Sequence, residues 1–170
     1  MTTTTRSTIK AVLVSVLIAA GGLAGPANAA DSSVPQPVAE ALATALQDEY
    51  HAEAFYDAVM EKFGAVRPFA NIIRAEQMHQ AILIDSMTQY GVDIPANTEL
   101  KSAGIRAAVP VTLAEACAMG VTAEIDNAGL YTDRLLPAVK GYADITAAFT
   151  ALSDASQQKH LPAFQRCAAR

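Results

Sequence analysis

The sequence predicts an all-α protein, a bundle of two antiparallel helical hairpins joined by a long crossover. Three observations predict it. Hydrophobic residues make up 52% of the 170-residue chain, yet aromatics make up only 6% and Trp is absent, a profile of packed helices rich in Ala and Leu. Apolar residues recur at spacings of three and four within long stretches free of Gly and Pro. The breakers gather instead at a few places, and the middle gathering is much the longest.

The order of elements begins with a segment expected to be removed. Residues 1–29 read as a secretory signal: Arg6 and Lys10 are its positive end, Ala11 to Gly22 its apolar run, and Ala27-Asn28-Ala29 its small-residue cleavage site. That run is shorter than the ~20 residues a membrane span needs, and the first Cys is Cys117, so no lipid attachment point follows it. A secreted, periplasmic or cell-envelope location is expected, with no membrane association after cleavage. Without Arg6 and Lys10 the remainder is two charges more negative than the −5 of the whole chain, and no basic run suggests nucleic acid.

Residues 30–37 form a polar, Pro-containing leader, and 38–168 the helical domain. The first helix is expected from Val38 to Phe63, ended by Gly64. Arg67-Pro68 opens a second that closes at Tyr90-Gly91, and the few residues between them make the pair antiparallel neighbours. From Gly91 to Val111 the pattern lapses, with Pro95, Asn97, Gly104 and Pro110 breaking any helix. A third helix runs from Thr112 to Leu136, with Thr112 and Glu115 at capping-box spacing. A fourth runs from Asp144 to Ala168 after a turn over Pro137 to Tyr142. Two short turns flanking one long crossover is the ferritin-like arrangement, whereas an up-down-up-down bundle has three short loops.

The chemistry lies on the core stripes. In the second helix Phe69, Ile72, Glu76, His79, Leu83, Ser86 and Tyr90 share one face, so Glu76 and His79 sit i, i+3 in the core register. Glu-x-x-His is the recurring ligand unit of di-metal carboxylate bundles. In the first helix Leu42, Glu49 and Tyr56 fall seven residues apart, as do Leu46, Glu53 and Met60, so Glu49 and Glu53 both share the apolar face and bracket the pair across the hairpin. His51 points elsewhere. Glu124 is the only acid on the third stripe; on the fourth, Phe149, Ser156 and Ala163 alternate with Ser153, His160 and Cys167. A second Glu-x-x-His would need an acid at position 157, where this chain has Gln157. No Gly-rich phosphate loop, Cys-x-x-Cys pair or copper-type Met tract competes.

The run Asp48-Glu49-Tyr50-His51-Ala52-Glu53-Ala54-Phe55-Tyr56, the segment Pro68-Phe69-Ala70-Asn71-Ile72-Ile73 with Ala75-Glu76-Gln77-Met78-His79, Ala123-Glu124-Ile125, and His160-Leu161-Pro162-Ala163-Phe164 together resemble the ferritin-like domain-of-unknown-function family 2202. The likeness spans about Val38 to Ala168. It implies the ferritin-like four-helix fold and a metal centre in the bundle, with the superfamily's ligands falling on Glu49 or Glu53, Glu76, His79, Glu124 and His160. Gln157 departs from that pattern, which argues against a symmetric two-metal centre.

The expected function is therefore an exported ferritin-like protein binding one or two Fe or Mn ions, with redox chemistry toward oxygen or peroxide as the candidate reaction. The alternative is a non-catalytic exported bundle whose buried acids and histidines form a structural network. A metal ion is the expected partner; a homodimer is one candidate assembly, since the sequence does not give the oligomeric state. Cys117 and Cys167, the only cysteines, are expected to form a disulfide. They lie at similar distances on either side of the turn near residue 140, and each sits seven residues from a candidate ligand, Glu124 or His160.

Overall fold

The computed structural model describes residues 34–170, so the expected signal segment and the first half of the polar leader, residues 30–33, lie outside the described residues. The described chain is all-helical, with no strand. Helix α1 spans Gln36–Phe63 and α2 spans Phe69–Gln89. Gly64 ends α1 at φ 82°, a left-handed conformation that favours glycine. A short α3, Ala103–Ala108, lies within the crossover. Helix α4 comprises Leu113–Leu130, a π-helical turn at Tyr131–Leu135 and Leu136–Ala138; α5 comprises Ala143–Ala155, a π-helical turn at Ser156–His160 and Leu161–Ala168. Among the described residues no helix is long and apolar enough to cross a membrane.

The four long helices begin and end within a few residues of the positions expected from sequence. The capping box forms: Thr112 Oγ1 accepts from the Glu115 N–H at 3.2 Å, and the Thr112 N–H donates to Glu115 Oε2 at 3.1 Å. The crossover corrects the expectation that its breakers exclude a helix. Ser102 caps α3, and Gly104 is tolerated because it falls in the first turn. Ile105 and the following Val109 are buried there, Lys62 donates to the carbonyls of Val109 and Pro110, and Arg106 pairs with Glu61 at 2.7 Å. These contacts strap the crossover along α1.

Helix α1 packs chiefly on α2, and α4 chiefly on the last part of α5, giving two hairpins. Their buried residues form two apolar clusters. One gathers Leu42, Leu46, Leu83, Met87, Tyr131, Leu135 and Phe149; the other gathers Tyr56, Val59, Phe69, Cys117, Phe164 and Cys167. Every long helix carries its buried polar residues at the level between them: Glu49 and Glu53 on α1, Glu76 and His79 on α2, Glu124 on α4, Ser156 and His160 on α5. A polar layer thus divides the core.

In the second cluster the Phe164 ring fills the space beside Gly120, where a Cβ would come within 2.6 Å of it, so α4 and α5 need glycine there to approach closely. Next to it Cys117 and Cys167 form a disulfide with Cα atoms 5.7 Å apart. The π-helical turn alters the expected stripe of α5. Leu152, Ser156, His160 and Phe164 are all buried, four residues apart, although in a regular helix twelve residues would turn the last about 120° from the first. The wider turn absorbs that drift, so Phe164 takes the core place expected for Ala163, which is only half buried.

Candidate metal centre

Five of the six candidate ligands meet in the polar layer. His79 Nδ1 lies 3.3 Å from Glu49 Oε2 and 3.0 Å from Glu76 Oε2. His160 Nδ1 lies 3.3 Å from Glu76 Oε1 and 3.6 Å from Glu124 Oε1. The two imidazoles stack with centroids 5.7 Å apart and planes at 25°. Glu76 thus uses one oxygen toward each histidine. Glu49, Glu76 and His79 form one group whose ligand atoms lie within 4.8 Å of one another; Glu76, Glu124 and His160 form a second. Glu76 belongs to both.

Helical geometry explains this. The i, i+3 spacing puts Glu76 and His79 side by side on α2, the antiparallel hairpin brings Glu49 level with them, and the bonded α4–α5 pair sets Glu124 opposite His160. All five residues are at most 9% exposed.

Glu53 is held apart from the cluster. Its Oε1 accepts from the Gln77 amide at 2.8 Å, and its Oε2 accepts from Gln80 at 2.9 Å and from Asn97 of the crossover at 3.3 Å. It is buried, as the seven-residue spacing implies, but it stands one turn along α1 and is not brought into either group. His51 is exposed and 3.5 Å from Glu99. Gln157 donates to the Glu124 carbonyl and to Ser156 Oγ and belongs to neither group.

Two hydroxyls complete the cluster that sequence reasoning did not single out. Tyr56 donates to Glu124 Oε1 at 3.2 Å, and Ser156 donates to Glu124 Oε2. Both lie on core stripes, where their spacing alone reads as packing. Their signal is the company they keep: Tyr56 is seven residues from Glu49, and Ser156 is four from His160.

The charges are unusual for a protein interior. Burial drives the Glu49 carboxyl well above the ordinary range; its hydrogen bond to His79 opposes this, and the charge of Glu76 adds to it. Burial also works against charge on His79, but contacts with Glu49 and Glu76 outweigh it and hold the imidazole up at about 10. Burial and the neighbouring carboxylates push the Tyr56 and Tyr131 phenols up as well. Three buried carboxylates facing two imidazoles make a cluster that favours added positive charge, carried either by protons or by a cation. Its oxygen and nitrogen donors can hold a metal ion.

Compared with protein-family models, with curated proteins and with solved structures, the chain matches none.

Proposed function

We propose that the chain is an exported metal-binding protein with a ferritin-like four-helix bundle, in which Glu49, Glu76, His79, Glu124 and His160 hold one or two Fe or Mn ions. One observation carries the reading: two ligand groups, each of two carboxylates and one imidazole, share Glu76. Surplus buried carboxylate and mixed oxygen and nitrogen donors fit these metals. Iron or manganese, when bound, would supply one-electron chemistry toward oxygen or peroxide.

The chain's own residues would orient the ligands and exclude water. Tyr56 and Ser156 fix both oxygens of Glu124, Gln157 anchors its backbone carbonyl, and Gln80 donates to the carbonyl of Glu49 at 3.3 Å. Apolar residues close the layer above and below. Export agrees with the signal-like residues 1–29 and with a disulfide in the mature part.

A second reading is favoured by the placement of each imidazole nitrogen between two carboxylates, which a proton-sharing structural network also requires. Elemental analysis of protein purified without a histidine tag and reconstituted with Fe(II) or Mn(II) separates the two. Near-stoichiometric metal, lost in Glu76→Ala, is the result expected. Content below about a tenth of an equivalent leaves only the structural network.

A further inference from the structure

A cavity of about 130 Å³ touches all five residues of the cluster and extends between α1 and α4, where Asp48, Asn127 and the exposed His51 and Met119 line it. Its outer part has two unlike sides. Ala52, Phe55 and Ala123 offer a cation no side-chain ligand, and Met119 only a soft thioether. Asp48 and Asn127, both half-buried, supply oxygen. Each adjoins a carboxylate of the cluster, Asp48 next to Glu49 on α1 and Asn127 one turn beyond Glu124 on α4.

Asn127 Nδ2 donates to Asp48 Oδ2 at 2.7 Å, and this bond fixes which way the amide faces. Its Oδ1 is left buried with no partner. A buried acceptor in that state calls for a donor or a cation beside it. With a carboxylate bonded to the same amide, a divalent cation that sheds water meets replacement oxygens here before it reaches Glu49 and Glu124.

We propose that Asp48 and Asn127 form a transit position through which a divalent cation passes from solvent to the buried cluster, an inference that rests on the metal-binding reading above. His51 stands at the exposed rim with its Nδ1 3.5 Å from Glu99, and the Asp48–Asn127 pair supplies the oxygens of the route. Residues at a transit position set the rate of uptake and leave the final occupancy alone.

The test is stopped-flow uptake of cobalt(II), followed by its visible absorption, in the full protein and in its Asp48→Asn and Asn127→Leu variants. Asp48→Asn keeps the shape of the pair and removes its charge; Asn127→Leu removes the unpartnered oxygen. The first is expected to slow uptake on the order of tenfold, as loss of a steering charge does, and the second severalfold, both ending at the parental absorbance. Added salt should slow the parent more than Asp48→Asn. Parental uptake rates in both variants overturn the transit position and leave the buried metal site standing. A lowered final absorbance in Asp48→Asn reached at the parental rate also overturns it, because Asp48 would then be a permanent ligand. A parent protein that takes up no cobalt overturns the metal-binding reading, and the inference falls with it.

Discussion

Glu49 and Glu53 stand one turn apart on α1, both buried and both facing α2, yet their surroundings differ in kind. Across from Glu49 are Glu76 and His79; across from Glu53 are Gln77 and Gln80, the same i, i+3 pair moved by one residue and made neutral. Three amides fill the acceptor sites of Glu53, counting Asn97. Glu49 has instead a single imidazole that it shares with Glu76. A buried carboxylate satisfied by neutral donors is complete as it stands, whereas carboxylates that outnumber their imidazoles leave a place for a cation. One helix therefore carries a finished structural acid and an unfinished one.

The sharpest way to break this contrast is metal content. Glu76→Ala removes a residue common to both ligand groups and should abolish metal binding, while Glu53→Gln should retain it in full, as elemental analysis would read. Equal loss in both would erase the distinction. Next in size is the disulfide, whose cysteines are 50 residues apart. Reducing it should cost about 4 kcal/mol on the chain-entropy account and weaken metal retention, because Glu124 and His160 share helices with the cysteines, but it should leave the Glu53 contacts on the other hairpin intact. Melting with and without reductant checks the first part. Two thiols open to alkylation in unreduced protein would contradict the bond itself.

Removing each acid from metal-free protein probes the contrast more gently. Glu53→Ala strands three amide donors and should lower stability by about 2 kcal/mol. Glu76→Leu replaces buried charge with apolar volume and should be neutral or stabilising. Denaturant titration of both variants would show the opposite ordering if Glu76 were the structural acid.

A smaller effect follows from pH. His79 is held at about 10 against 6.5 in the unfolded chain, so its charge contributes stability that is fully present below pH 6.5 and lost as pH rises through about 10. Glu49→Gln should flatten that loss in stability curves of the metal-free protein. Cation loading at neutral pH should also release the His79 proton, visible with an indicator dye in weak buffer. The smallest effect is expected from His51→Ala, which should leave metal content unchanged because His51 lies at the exposed rim with Glu99.

Much of the fold was legible because its signals are local. Thr112 and Glu115 mark a helix start within four residues, Gly64 marks an end, and the Cys117–Cys167 register needs only a turn between them. The short α3 was missed because Gly104 reads as a breaker unless its place in the first turn is known. Within the candidate site, Glu76 and His79 were legible from spacing on one helix. Glu53 was not separable from Glu49, since both lie on the buried face and only the partners on α2 and the crossover tell them apart. The roles of Tyr56 and Ser156 are not legible in the sequence, because a hydroxyl on a core stripe shows no chemistry until the acid it meets is known. The burial of Phe164 in place of Ala163 depends on a π-helical turn that periodicity averages away.

That turn makes chain length a separable property of α5. A helix holding one surplus residue in a wide turn has the same phase on both sides as a regular helix one residue shorter. Deleting the exposed Lys159 should let Ser156–His160 close into an ordinary turn while Phe149 upstream and Phe164 and Cys167 downstream keep their seam. What would change is local: His160 would stand three residues from Ser156 instead of four, which alters how its imidazole meets Glu76 and Glu124. An alteration of one amino acid in length would thus perturb the candidate site while the frame that holds it keeps its packing.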